Sequence, residues 1–190
     1  MRRSLVSAVG VALLLTGAII AARLGLQLTH QQSTEARQSK AWQQFTQAVR
    51  GQNVAVPTDA GNIYLRFLVP RLGNKDGVAV DGDWNSLKDA SMVHYHDSPA
   101  PGDKGNLLLA FHRETRWLDV NQVHAGDEVL VQARDGKTYR YVIDFTRIVG
   151  PNDVSLLRQT TGTDITLITC DPPWQDYNRL IFRGHLQPAA

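Results

Sequence analysis

The stretch EVLVQARDGKTYRYVIDFTRI, residues 128–148, decides the fold class. Glu128 to Ala133 and Thr138 to Ile148 are rich in β-branched and aromatic residues. Between them stands Asp135-Gly136, a pair that tolerates the positive φ a tight reversal needs, so the stretch predicts a β-hairpin. Its second strand puts Tyr139, Tyr141, Ile143 and Phe145 on one side. Working outward, Asn62 to Val69 alternates with Ile63, Leu65, Phe67 and Val69 on one face, and Pro70 ends it because proline cannot donate to a ladder. Leu107 to Phe111 is a continuous apolar run, as expected of a strand covered on both sides. Thr163 to Cys170 and Leu180 to Phe182 complete the set, and Asp171-Pro172-Pro173 stops the first of these. Arg116 to Val123 and Asp153 to Leu157 are each expected to form a helical turn between strands. Several short strands with no long helix between them predict a mainly β domain, an antiparallel barrel or sandwich.

The chain has 190 residues, 43% apolar and 20% charged, enough for one domain plus an appendage. Its 15 glycines and 8 prolines show no three-residue period, which excludes a collagen-like chain, and its one cysteine excludes an intramolecular disulfide framework. Although the pI is about 8.8, Arg2, Arg3 and Arg23 flank the N-terminal apolar run. Without them the remaining basic residues nearly balance the 18 acids, and no footprint for nucleic acid remains.

From Ser4 to Ala22 the chain carries no charge. At ~1.5 Å per residue, a helix of that length nearly covers a ~30 Å hydrocarbon core. Two arginines precede the run and one directly follows it, so the positive-inside bias predicts an uncleaved signal anchor, residues 1–28, with a cytoplasmic N-terminus and an exported body. A cleaved signal peptide ending at Ala22 would place the bulky Ile20 where a small residue is wanted. The Gln-rich segment 29–57 is expected to be a partly helical stalk, with Trp42, Phe45 and Val49 on one helix face. Residues 58–190 form the body.

Cys170 is the only thiol nucleophile, at the point where a strand should end and a Pro-Pro loop begin. Only Asp171 to Asn178 separate it from Arg179. If the flanking strands lie side by side, a guanidinium stands beside the sulfur, where it could favour thiolate and bind an oxyanion. Arg183 competes with the same strand parity but lies ~13 Å further along. A thiol that transfers acyl groups also needs an acid/base, usually histidine, and His112 ends the apolar strand at a barrel rim. His94 and His96, two apart, could share a face and bind a metal, but no glutamate follows until Glu114, and the metal reading is set aside. No cofactor is implied.

Thr166-Leu167-Ile168-Thr169-Cys170 resembles the TLxTC signature of the sortases, cysteine transpeptidases of bacterial cell surfaces. Pro101-Gly102-Asp103-Lys104-Gly105-Asn106, leading into Leu107 to Arg113, resembles that family's PGxxGN segment and histidine strand. Gly126-Asp127-Glu128 with the Asp135-Gly136 hairpin, and Arg179-Leu180-Ile181, are similar as well, so the likeness spans about 62–186. The resemblance implies a closed eight-stranded barrel with His112, Cys170 and Arg179 as catalytic residues. Cys170 would attack a sorting motif (LPxTG-like) near the C-terminus of a surface protein, and an amine acceptor, a cell-wall precursor or a protein lysine, would resolve the thioester. It also implies that Thr169 lines the substrate groove and that His94 and His96 contact substrate near the mouth. Phe111 departs from the glycine many sortases have before the histidine, a change that implies a narrowed or reshaped pocket. The order histidine, cysteine, arginine differs from that of papain-like enzymes, and no Ser-x-Gly-Cys segment supports a cysteine L,D-transpeptidase. The alternative from another class is a membrane-tethered β-barrel that binds a surface protein or glycan without catalysis.

Overall fold

Alternating apolar residues close on themselves here. In the computed structural model, which describes residues 2–48, 56–58, 61–113 and 115–188, the body contains nine strands: β1 (Val56–Thr58), β2 (Gly61–Val69), β3 (Lys75–Gly82), β4 (Met92–Tyr95), β5 (Gly105–Phe111), β6 (Glu128–Ala133), β7 (Thr138–Val149), β8 (Thr163–Asp171) and β9 (Asn178–Leu186). They hydrogen-bond in the order β1-β2-β3-β4-β5-β8-β9-β7-β6, and β6 pairs back onto β2. Strands β2 to β9 therefore form a closed eight-stranded barrel, with β1 added at the edge of β2.

The expected stripe Ile63, Leu65, Phe67 and Val69 is buried, and Leu65, Phe67 and Val69 pack with Leu107, Leu109, Phe111, Ile165, Leu167, Leu180 and Phe182 in the barrel interior. The β6–β7 hairpin turns at Gly136, whose φ is 83°. Tyr141 and Ile143 point inward as expected, but an irregularity between Ile143 and Phe145 ends that stripe. The expected turn over Arg116 to Val123 forms as two, Thr115–Trp117, starting one residue earlier, and Val120–Gln122, and Ser155–Leu157 forms within Asp153 to Leu157.

The barrel is not wholly antiparallel: β3 pairs with β4, and β5 with β8, in parallel. Between β3 and β4 the chain crosses through a 3-10 turn, Trp84–Lys88, and between β5 and β8 it travels out through the β6–β7 hairpin. No local pattern encodes these pairings, because parallel and antiparallel strands share the same two-residue period.

The N-terminal residues form one helix, α1 (Arg2–Ala48). The chain divides into two compact units, residues 1–33 and 34–190. In the first, Leu13, Leu14, Leu15, Ile19, Ile20 and Leu26 are exposed. Among the described residues no helix is long and apolar enough to cross a membrane; the expected span begins at Ser4, and the side chains of residues 4–9 lie outside them. In the second unit Trp42 is buried, while the side chains of Phe45 and Val49 lie outside the described residues.

Candidate active site

Strand parity divides the middle of the barrel wall into two faces. Leu109, Leu167 and Phe182 point into the core, so Ala110, Ile168 and Ile181 point outward, forming the apolar floor of a cavity of about 370 Å³. One wall comes from Trp84 and Leu87 on the 3-10 turn after β3. The other comes from Pro151, Asp153, Val154 and Leu157 on the β7–β8 connection. His112, Thr169, Cys170 and Arg179 also line it.

The register explains the convergence. Cys170 and Arg179 are direct partners across the antiparallel β8–β9 ladder. In the parallel β5–β8 ladder the last pair is Ala110↔Ile168. His112 and Cys170 share that offset and that parity, so they follow side by side on the cavity face. Cys170 is half-buried, and the Arg179 guanidinium donates to the carbonyls of Asp176 (3.0 Å), in the β8–β9 loop, and Asn178 (3.1 Å), the first residue of β9. A guanidinium has five N–H donors, so these bonds hold it without exhausting it.

His112 is oriented by the 3-10 turn. Asp83 caps this turn, its carboxylate accepting from the N–H groups of Asn85 (2.8 Å) and Ser86 (3.1 Å). These bonds hold its carboxyl below the ordinary aspartate value. The turn packs Leu87 against Val80, Ala90 and Val93, and the Leu87 carbonyl accepts from His112 Nε2–H at 2.7 Å. With Nε2 committed, Nδ1 is the ring nitrogen left to take up and release a proton. The backbone N–H of His112 donates to Ser91 O (3.2 Å).

Thr169 is buried and its hydroxyl donates to Phe111 O at 2.7 Å, so it ties β8 to β5 as well as lining the cavity. Phe111 also touches the cavity, but its ring turns inward onto Phe67 and Trp117, its centroid 6.2 and 5.4 Å from theirs. Arg183 is outward-facing as expected, yet its guanidinium donates to Leu156 O and pairs with Asp164 at 3.7 Å. Asn106 braces the same loop: its amide donates to Leu156 O (3.2 Å) and Arg158 O (3.1 Å), and its oxygen accepts from the Thr166 hydroxyl (2.7 Å). The Pro101–Asn106 segment is thus built for packing. A Cβ on Gly102 would lie 2.2 Å from the Tyr139 ring, and the Gly102 N–H donates to the Tyr141 hydroxyl (3.0 Å). Burial pushes the Tyr141 phenol up to about 12.

His94 and His96 are not brought to this cavity. His94 is 1% exposed, stacked on Tyr64 with centroids 3.9 Å apart. Its Nδ1–H donates to Asp81 Oδ1 (2.8 Å), and its Nε2 accepts from the Ser98 hydroxyl (3.0 Å). The Ser98 oxygen in turn accepts from the Leu108 N–H (3.1 Å), and its proton has the Tyr95 carbonyl at 2.7 Å as a second acceptor. Burial holds the His94 pKa below the ordinary histidine value, against the pull of Asp81. His96 lies on the surface, its Nδ1–H donating to Gly82 O (2.8 Å). Among the described residues no group of three His, Cys, Asp or Glu side chains is placed to hold a metal ion.

A thiol, an imidazole and a guanidinium on one apolar-floored cavity can carry out nucleophilic acyl transfer. A family model for the sortase domain matches residues 67–187. The chain is 31% identical over 105 residues to Sortase D of Bacillus subtilis, covering 55% of this chain and 52% of that one. It is 32% identical over 88 residues to Sortase A of Listeria monocytogenes, covering 44% of this chain and 39% of that one. The chain thus spans about half or less of the length of these curated relatives. Its fold matches a Clostridium perfringens Sortase D5 transpeptidase with TM-score 0.62 at 16% identity, over 84% of this chain and 99% of that one. Sortase E of Streptomyces avermitilis matches with TM-score 0.58 at 29% identity, over 69% and 91%. The residues matched by the family model cover more than half of the chain, which therefore belongs to the sortase family.

Proposed function

We propose that the chain is a cysteine transpeptidase that cleaves an LPxTG-like C-terminal sorting motif of a surface protein and transfers the new carboxyl end to an amine. The observation that carries the reading is the cross-strand pairing of Cys170 with Arg179 on the cavity that His112 also lines. In this reading the Cys170 thiolate adds to the scissile carbonyl, and donors of Arg179 stabilise the resulting oxyanion. His112 gives the proton on Nδ1 to the departing amine, and collapse leaves a thioester on Sγ. A second amine, from a cell-wall precursor or a protein lysine, attacks the thioester and loses a proton to His112 Nδ1; the C–S bond breaks, the new amide departs, and the Cys170 thiolate and protonated His112 are restored. The apolar floor of Ala110, Ile168 and Ile181 suits the aliphatic side chains of a sorting motif. Residues 1–28 serve as a signal anchor, with the N-terminus cytoplasmic and the body outside. The exposed leucines and isoleucines of α1 support this, since a lipid environment would cover them.

The test is turnover of a fluorogenic peptide library built on LPxTG variants, with and without an added amine. Cleavage that joins the peptide to the amine, and that disappears in Cys170→Ala, supports the reading. A folded protein that retains peptides without cleaving any would instead be a binding module.

A further inference from the structure

The backbone ladder between β5 and β8 ends at Ala110↔Ile168, yet the two side chains proposed for chemistry lie on the next outward-facing rung. What holds that rung is side-chain bonding at the same offset of 58 residues: Thr169 to Phe111 O on one side, and Arg113 to Asp171 on the other. Arg113 directly follows His112, and Asp171 directly follows Cys170. The pair is sequestered, with side-chain exposures of 6% for Arg113 and 21% for Asp171. The Nε of Arg113 has no hydrogen-bond partner among the described residues, so its tie to β8 runs through Asp171.

We infer that Arg113 and Asp171 are positioning residues, an ion-pair clasp that holds His112 beside Cys170 where the strands no longer pair. This rests on the proposed transpeptidase chemistry but makes a separate claim, because it concerns the relation of the imidazole to the thiol and not the identity of the peptide. A displacement of ~1 Å at a reacting pair can lower rates about 10²-fold. Removing one partner alone leaves a buried charge uncompensated, whereas replacing both by apolar groups is often tolerated by the fold. The charge-free pair Arg113→Met/Asp171→Leu is therefore the informative variant. It also leaves the net charge beside Cys170 unchanged, and Asp171→Asn, which removes one charge alone, serves as the comparison for electrostatic effects.

The experiment compares full-length wild type, Asp171→Asn and the charge-free pair. It measures folding by circular dichroism, turnover of the best library peptide, and alkylation of Cys170 by iodoacetamide against pH. The expected result for the folded charge-free pair is a kcat lower by about 10- to 100-fold with KM within about twofold. The pH midpoint of alkylation should also rise, because an imidazolium held near the thiol favours thiolate and a displaced one does not. A charge-free pair that folds and turns over at the wild-type rate, or that alkylates along the wild-type pH curve, overturns the clasp. If the wild type joins no peptide to any amine, the proposed function fails, and the alkylation curves still decide: a raised midpoint supports the clasp and coincident curves overturn it.

Discussion

Two histidines sit near opposite ends of neighbouring strands, His94 on β4 and His112 just beyond β5, and only the less elaborate setting is open to a substrate. His94 has the bonding pattern of a serine–histidine–aspartate triad, through Ser98 and Asp81. Its serine is 7% exposed, however, and its oxygen is already engaged by the Leu108 N–H. His112 has one carbonyl partner for its ring and a cavity beside it. A hydrogen-bonded constellation with its valences filled is a strut, while a nucleophile needs a face from which a carbonyl can approach. Access and an oxyanion donor, more than the completeness of the hydrogen-bond chain, separate the two.

The sharpest way to break this contrast is to remove the sulfur. Cys170→Ala should abolish peptide transfer, a loss of at least about 10³-fold in steady-state assays. Residual transfer near the wild-type rate would shift attention to another nucleophile. Next in size, Arg179→Ala should lower kcat by about 10²-fold with little change in melting temperature, since its protein partners are local backbone carbonyls one and three residues away. Equal kcat in the two proteins would remove Arg179 from the oxyanion role.

Asn106→Ala tests the wall of the cavity. It removes three hydrogen bonds, two to carbonyls of the β7–β8 connection and one from the buried Thr166 hydroxyl, while Arg183 still donates to Leu156 O, so urea denaturation should show a loss of about 1–2 kcal/mol. Ser98→Ala should cost about 1–2 kcal/mol through the Leu108 N–H and His94, yet leave kcat within about threefold. A collapse of kcat in a folded Ser98→Ala protein would contradict the strut assignment.

The smallest effect is a pH dependence. With its pKa held below the ordinary ~6.5, His94 stays neutral in the fold while the unfolded chain takes up the proton. Its contribution is complete above that pH and is lost as the pH falls from it toward the lower folded value. The wild type should therefore lose more stability than His94→Gln between pH 7.5 and 5.5, at up to about 1.4 kcal/mol per pH unit. Parallel urea midpoints for the two proteins would show that His94 is not the group involved.

Much of the barrel was legible because its core strands are strongly patterned. The alternation from Ile63 to Val69 and the Asp135-Gly136 hairpin each carry their own signal. The strands β3 and β4 did not. Lys75–Gly82 begins with two charges and carries two glycines, and Met92–Tyr95 is too short to show a period. The neighbourhood of Cys170 and Arg179 followed from the short loop between them, and the register bears that out. The partner that orients His112 could not be read, because a carbonyl at Leu87 has no side-chain signature. Nor could the Arg113–Asp171 clasp, which lies just past the β5–β8 ladder, whose parallel pairing leaves no trace in local sequence. Phe111 was legible as a departure from the family pattern but not as an inward-facing core ring, which depends on its parity with Leu107 and Leu109.

The central claim is that acyl chemistry occurs at the Cys170 rim. The most direct measurement is peptide mapping by mass spectrometry after the full chain is quenched in acid during turnover of a cleaved library peptide. A hydroxylamine-labile acyl adduct on the fragment containing Cys170 is expected. An adduct on the fragment containing Ser98, or cleavage that proceeds with no adduct at any time point and survives in Cys170→Ala, would contradict it.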